Sequence, residues 1–167
     1  MILNLFAVGD VVGEQGVEFL CRHLRSLQKL HDIHFTVVNG ENASGLGILP
    51  RQAKDIYDAG ADVVTLGNHT WNRIQIRNIM DESPWLLRPA NFSSRVPGRG
   101  IGVYEGPRGL RIGVLSLIGR TEMDPNPDNP FTTADRLLRH HDADIWAVDF
   151  HAEATSEKGA MGWYLDG

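Results

Sequence analysis

The segment VVTLGNHTW, residues 63–71, begins as a short apolar run and then breaks into glycine, asparagine and histidine. A short run of β-branched residues that ends on a glycine is typical of a buried strand. Two other segments have the same form, LFAVGD at residues 5–10 and TVVNGEN at residues 36–42. The sequence therefore predicts several strands that end on side chains able to hold a metal ion or a proton.

The rest of the chain predicts an alternation of strands and helices, followed by a hairpin. Alternating strands and helices favour parallel pairing through right-handed crossovers. The segments on either side of GPRG are expected to pair antiparallel. The predicted strands are 2–8, 35–38, 62–66, 103–105, 111–117 and 145–150, and the predicted helices are 17–30, 50–59, 74–80 and 132–141, the last capped by Thr132. Residues 83–100 and 119–130 are predicted loops because proline, glycine, aspartate and asparagine are frequent there.

Length and composition indicate one globular domain over residues 1–167. Apolar residues make up 42% of the chain and charged residues 22%, which is the balance of a soluble protein. The net charge is −5 and there is no basic run, so duplex nucleic acid is excluded as a partner. A small phosphorylated ligand is still allowed, because a bound metal ion can supply local positive charge.

The sequence predicts a cytoplasmic protein with no membrane partner. The single Cys21 cannot form an internal disulfide and is compatible with a reducing compartment. Met1 runs directly into a predicted strand without the basic region of a signal peptide. The longest apolar runs are too short to span a bilayer. A homo-oligomer is compatible with the sequence, which does not fix the oligomeric state.

Four predicted strands end close to side chains that carry oxygen or nitrogen ligands. In chain order these are Asp10, Glu41 with Asn42, Asn68 with His69, and His151. Ligands of open α/β sheets bind beyond the carboxyl ends of the strands, so we expect the six residues to converge on one crevice. Each residue alone has a simpler interpretation as a turn former, a helix cap or a hydrogen-bonded structural residue. Four such strand ends together favour a shared site.

The chemistry of this set indicates metal binding. Mixed oxygen and nitrogen ligands suit manganese or iron, with zinc as an alternative. A carboxylate such as Glu41 can bridge two divalent ions about 3.5–4 Å apart. His69, beside Asn68, would then be free to act as a general acid near neutral pH. The other histidines, His23, His31, His34, His140 and His141, are interpreted as solvated or capping residues.

The segments GDVVG, NGENA, GNHTW and DFHAEATSEK with MGWYLDG resemble the calcineurin-like metallophosphoesterase superfamily. They are more similar still to its bacterial YmdB-type branch, whose members act on 2′,3′-cyclic nucleotides. LLRPANF and GRT extend the resemblance along essentially the whole chain. The resemblance implies an α/β fold in which two mixed β-sheets form a sandwich flanked by helices, in αββα layers.

The same resemblance implies a function for each member of the set. It makes Asp10, Asn42, Asn68 and His151 metal ligands, Glu41 the bridging carboxylate and His69 the proton donor. Many superfamily members carry a further histidine two positions after the aspartate. Val12 stands there in this chain, and the YmdB-type branch also lacks that ligand. Arg88, Arg99 and Arg120 lie in predicted loops and are candidates for phosphate contacts, with solvated loop arginines as the alternative.

Members of the family continue beyond the segment that matches GWYLDG, to a Gly-Thr-His-Thr-His stretch that gives one histidine to each metal ion. This chain stops at Gly167. We therefore expect the domain to be incomplete at its C-terminus. We also expect a site built only from these residues to hold metal weakly, since the number of ligands sets affinity.

The leading hypothesis is a metal-dependent phosphodiesterase that hydrolyses small phosphodiesters, in particular 2′,3′-cyclic nucleotides. Two divalent ions would activate a water molecule and His69 would protonate the leaving oxygen. One alternative is a non-catalytic regulatory module that binds a nucleotide or metal on the same scaffold. Another is an α/β domain with a purely structural function. His69 favours the enzyme, since a pure binder has no use for a titratable group beside the ligands.

Overall fold

The computed structural model describes residues 2–166 and contains seven strands in that range. The strands are β1 Leu5–Val8, β2 Phe35–Asn39, β3 Val63–Thr65, β4 Leu86–Leu87, β5 Ile101–Glu105, β6 Arg111–Ile118 and β7 Ile145–His151. The α-helices are α1 Gly13–Leu30, α2 Pro50–Asp58, α3 Arg77–Met80, α4 Pro130–Leu138 and α5 Thr155–Leu165. Short 3₁₀ helices cover Ile74–Ile76 and Pro107–Gly109.

The strands form two sheets. The first has the order β1-β2-β3-β4 and is parallel throughout. The second has the order β5-β6-β7, in which β5 and β6 form the predicted antiparallel hairpin and β7 runs parallel to β6. The predicted two-sheet α/β sandwich is confirmed, with a purely parallel first sheet and a mixed second one.

Strand alternation explains the layers, because successive side chains of a strand point to opposite faces. In β2, Phe35 and Val37 pack between the sheets against Ile112 and Val114 of β6. Val38 points the other way and packs among residues of α1 and α2. A third apolar cluster joins the outer face of the second sheet to α4 and α5. The layers therefore run helix, sheet, sheet, helix, and each fully buried large apolar side chain contributes about 1.5–3 kcal/mol.

Helix α1 shows how the predicted amphipathic pattern is used. Its buried residues are Val17, Leu20 and Leu24, which form one stripe against the first sheet. Glu14 in the first turn and Lys29 in the last turn both interact favourably with the helix dipole. Within residues 2–166, no helix is both long and apolar enough to cross a membrane.

The structure corrects the start of α4. We predicted Thr132 as its cap, but the cap is Asn129, whose side-chain oxygen accepts hydrogen bonds from the backbone N–H groups of Phe131 and Thr132 at 2.9 and 3.3 Å. Pro130 then occupies the first turn, where its missing N–H costs nothing. The helix ends at Leu138, three residues before the predicted end at His141.

Two elements were not predicted. Strand β4 has only two residues, and it lies inside the stretch that we assigned to a loop because of its prolines. Helix α5 carries Gly159 and Gly162 and has no clear apolar stripe, so its sequence lacks the periodic signal of a helix.

Candidate functional site

A cavity of about 400 Å³ lies at the carboxyl ends of β1, β2, β3 and β7. The six residues predicted at the strand ends all line it: Asp10, Glu41, Asn42, Asn68, His69 and His151. The parallel register explains this convergence. Val8 pairs with Val38 and Asn39 with Thr65, so β1, β2 and β3 end at the same edge of the sheet. His151 ends β7 and reaches the cavity from the second sheet.

Glu41 lies at the centre of the cavity and has no exposed surface. Its Oε1 is 2.8 Å from His151 Nε2 and accepts a hydrogen bond from Asn42 Nδ2 at 3.2 Å. Its Oε2 accepts from the backbone N–H of His69 at 3.1 Å. The Glu41 backbone N–H donates to Asn39 Oδ1 at 3.3 Å. The carboxylate is therefore fixed by contacts from three different strand ends.

The contact between Glu41 and His151 favours the charged form of both side chains. Burial raises the pKa of Glu41, but the hydrogen bond and charge of His151 and the contact with His69 outweigh burial and lower that pKa. Burial lowers the pKa of His151, but the hydrogen bond and charge of Glu41, with the charges of Asp149 and Asp10, raise it overall. The cavity therefore favours an ionised carboxylate beside a protonated imidazole.

Asn42 links the remaining predicted residues. Its Nδ2 donates to Asp10 Oδ1 at 2.8 Å, and its Oδ1 is 3.0 Å from His69 Nδ1. The other ring nitrogen of His69 is 3.3 Å from Asn68 Nδ2. Asp10 has φ 45°, a left-handed conformation that aspartate adopts more readily than most residues. One amide thus connects the turns that follow β1 and β3.

Asp149 belongs to the site and was missed by the sequence analysis. Its Oδ2 accepts a hydrogen bond from Asn39 Nδ2 at 2.9 Å and another from the hydroxyl of Thr65, so it joins the two sheets below Glu41. A signal for it was available. Residues two apart on a strand share a face, so Asp149 had to point the same way as His151.

The predicted ligand side chains in the cavity are chemically suited to binding a metal ion. Carboxylate, amide and imidazole donors in one cavity suit manganese or iron. The described part of the chain contains no group of three or more His, Cys, Asp or Glu side chains arranged to bind a metal ion. Two of the five predicted ligands are asparagines, and Glu41 and His151 are bonded to each other. A metal ion would replace that hydrogen bond, with Glu41 and His151 becoming its ligands.

The structure does not place the loop arginines in the cavity. Arg88 is 5% exposed, and its guanidinium donates to the backbone carbonyls of Pro89, Val96 and Pro97, so it shapes its own loop. Arg120 is exposed and its Nε donates to Asn126 Oδ1 at 2.9 Å. The remaining lining residues, none of them predicted, include Glu122, Met123, Glu153 and Lys158.

Three of the other histidines make hydrogen bonds away from the cavity, and two of these are at the end of α4, where the sequence suggested capping. His140 Nδ1 and His141 Nδ1 are 2.6 and 2.9 Å from the carbonyls of Arg136 and Leu137 at the end of α4. His34 Nδ1 accepts from the backbone N–H of Asn4 at 3.1 Å. His23, His31, His34, His140 and His141 are all absent from the described lining of the cavity.

Gly67→Ala is expected to disturb the site. A Cβ at this position would collide with the Glu41 carboxylate and would lie 2.8 Å from Cδ2 of His151. We expect about a tenfold or larger loss of manganese affinity, and a loss of about 1–3 kcal/mol in unfolding free energy from overpacking. Titration calorimetry and urea unfolding measure the two effects.

The matched control is Gly9→Ala, because Gly9 also lines the cavity but a Cβ there would meet nothing within 4 Å. Equal manganese affinities for the two variants would show that the close approach of Gly67 to Glu41 does not matter for the site.

The fold and the cavity define a class of protein. A crystal structure of a novel phosphatase from Mycoplasma pneumoniae superposes with a TM-score of 0.89 at 30% sequence identity, covering 99% of this chain and 60% of that one. A crystal structure of a hypothetical protein from Thermus thermophilus gives a TM-score of 0.88 at 36% identity, covering 97% of this chain and 63% of that one. The chain therefore has a phosphatase-type α/β sandwich fold.

The chain belongs to the YmdB-like protein family, whose model matches residues 6–167. It is 41% identical over 168 residues to a 2′,3′-cyclic-nucleotide 2′-phosphodiesterase of Bacillus subtilis (strain 168), an alignment that covers 99% of this chain and 63% of that protein. The chain spans about three-fifths of the length of the curated relatives it matches. The resemblance to the YmdB-type branch seen in the sequence is confirmed.

Proposed function

We propose that the protein is a metal-dependent phosphodiesterase that hydrolyses 2′,3′-cyclic nucleotides or closely similar small phosphodiesters. The observation that carries the proposal is the convergence of four strand ends on the buried Glu41, with His69 beside it. The name of the Bacillus subtilis relative supports the substrate class. A cavity of about 400 Å³ is suited to a small ligand.

Five side chains would hold two divalent ions, manganese or iron. Asp10 and Asn42 would contribute to one ion, Asn68 and His151 to the other, and Glu41 to both. When bound, such ions polarise phosphoryl oxygens and make water a stronger nucleophile. The Asp149 carboxylate accepts hydrogen bonds from Asn39 and Thr65, so it orients β2 and β3 beneath the ligands.

His69 would hold the proton that the leaving oxygen needs. Its side chain is 30% exposed, so it can exchange protons with solvent between turnovers. Asn42 Oδ1, 3.0 Å from Nδ1, and the Glu41 carboxylate, 3.4 Å from it, orient the ring. Sugar alkoxides are poor leaving groups, so proton donation contributes a factor of about 10²–10⁴ in rate.

Turnover of 2′,3′-cyclic AMP tests the proposal. The full-length protein is stripped with chelator, assayed, and assayed again after addition of manganese or iron, with 3′,5′-cyclic AMP and an aryl phosphodiester in parallel. We expect hydrolysis that depends on the added metal and prefers the 2′,3′-cyclic substrate. No metal-dependent hydrolysis of any phosphodiester would contradict the proposal. A ligand-induced rise in melting temperature without product would favour the regulatory module instead.

Manganese affinity is expected to rise with pH across the range above the ordinary histidine pKa of about 6.5. The pKa of His151 is raised, so its imidazole keeps a proton to higher pH, and that proton must leave before the nitrogen can bind metal. Below the raised pKa, each added pH unit should strengthen apparent affinity by up to about tenfold, and above it the affinity should level off.

Titration calorimetry in buffers of different ionisation enthalpy measures the proton released on manganese binding. His140→Gln is the control and should leave the pH profile unchanged, because His140 caps the end of α4 away from the cavity. A manganese affinity that does not depend on pH near neutrality would show that His151 is not a ligand.

A further inference from the structure

The charge around the cavity is uneven. Five carboxylates line it, those of Asp10, Glu41, Glu122, Asp149 and Glu153. Lys158 is the one lysine or arginine among the lining residues that the structure describes. A phosphodiester substrate carries negative charge and would approach a cavity whose described lining holds five carboxylates and one lysine.

We infer that Lys158 binds a non-bridging phosphate oxygen of the substrate and so determines the preference of the site for phosphorylated ligands. The inference rests on the proposed function and adds to it a residue outside the predicted ligand set. A lysine ammonium is a compact point charge with three donors, which suits a phosphate oxygen.

The backbone that carries Lys158 is held in place by its neighbour. Glu157 accepts hydrogen bonds from the backbone N–H of Arg120 at 2.9 and 3.1 Å and from that of Thr121 at 3.2 Å. These contacts fasten the first turn of α5 to the loop that brings Glu122 to the cavity. The Glu157 carboxylate is thus directed at backbone donors, and the adjacent Lys158 stays at the rim of the cavity.

Lys158 is also available for a ligand. No ion pair involving it is found within residues 2–166. By contrast, Lys54 on α2 is bound to Asp58 at 2.6 Å. Two of the three arginines that the sequence suggested have other partners: Arg88 donates to loop carbonyls and Arg120 to Asn126.

A simpler interpretation is that the Lys158 stem only packs along the groove between β7 and α5, which it lines together with Phe150 and Trp146. Lys158→Met separates the two interpretations because methionine keeps an apolar stem of similar length and removes the ammonium. Lys158→Arg restores the charge. Lys54→Met is the matched control, since it removes a lysine charge away from the cavity.

The experiment uses the manganese-loaded full-length protein and two readouts. The first is the affinity for inorganic phosphate by titration calorimetry, which needs no turnover. The second is the pair of constants kcat and KM for 2′,3′-cyclic AMP. For Lys158→Met we expect phosphate affinity to fall and KM to rise by about tenfold to a hundredfold, the effect of one charge-assisted hydrogen bond. We expect kcat and manganese content to change little, and Lys158→Arg to recover most of the loss.

Phosphate affinity and KM within about twofold of the unmodified protein in Lys158→Met would overturn the inference. A fall in kcat with unchanged KM, or an equal effect of Lys54→Met, would overturn it as well. Failure of the proposed function is a separate result. If the protein hydrolyses no diester but binds phosphate through Lys158, the phosphodiesterase proposal fails while the phosphate contact stands.

Discussion

Glu41→Gln is expected to lower the occupancy of both metal ions and to abolish most of the activity. Glu41 has no exposed surface, and its two oxygens contact groups from different strand ends. A carboxylate shared between two dications loses two attractions when it is neutralised. The loss of affinity should exceed the factor of about 10–100 that follows the loss of an outer-shell partner. Elemental analysis of the dialysed protein and titration calorimetry measure it.

Asp10→Asn is the matched comparison for this prediction. Asp10 lines the same cavity but contacts Glu41 only through Asn42, so its neutralisation should mainly affect one ion. Circular dichroism of the metal-free variants controls for folding. A two-metal count in Glu41→Gln equal to that of the unmodified protein would reject the bridging function of Glu41.

The convergence of the site could be predicted from sequence because it depends on parallel strands. Strands β1, β2 and β3 are short apolar runs, and the parallel register places the polar continuation of each at the same edge of the sheet. Asp10, Glu41 and Asn68 meet for that reason. His151 was predicted with them because β7 is also a readable strand, although it belongs to the other sheet.

What could not be predicted depends on contacts made only in the folded chain. Arg88 is a loop arginine in the sequence, and nothing local shows that three backbone carbonyls will surround its guanidinium. Helix α5 has little amphipathic character of its own, and its first turn is held by the bonds of Glu157 to a loop 36 residues earlier. Lys158 could not be recognised from the sequence as a residue of the cavity, because the helix that carries it was not predicted.

The site is built across both sheets, so its geometry depends on the packing of the sandwich. Asp149 of β7 accepts hydrogen bonds from Asn39 of β2 and Thr65 of β3, and Asn39 in turn accepts from the backbone N–H of Glu41. A shift of one sheet against the other would therefore move His151 relative to Glu41. This arrangement explains why buried polar residues lie at the end of an otherwise apolar layer.

His69→Ala is expected to leave the metal content nearly intact while lowering the rate on 2′,3′-cyclic nucleotides by about 10²–10⁴. His69 contacts Asn42 and Asn68 through its ring nitrogens, but its ring is not among the groups assigned to hold the ions. The rate loss should follow the leaving group. A sugar alkoxide must be protonated as it departs, whereas an aryloxide is stable enough to leave without a proton.

The comparison of the two substrates therefore tests the function of His69 directly. The full-length His69→Ala variant is assayed with 2′,3′-cyclic AMP and with bis(4-nitrophenyl) phosphate at matched manganese occupancy, which elemental analysis verifies. His140→Ala is the control, because that ring caps the carbonyl of Arg136 and should affect neither rate. A loss that is large for the nucleotide and small for the aryl ester identifies a proton donor. Equal losses on both substrates would mean that His69 positions the substrate or binds a metal ion, since an interaction unrelated to the leaving group cannot distinguish the two esters.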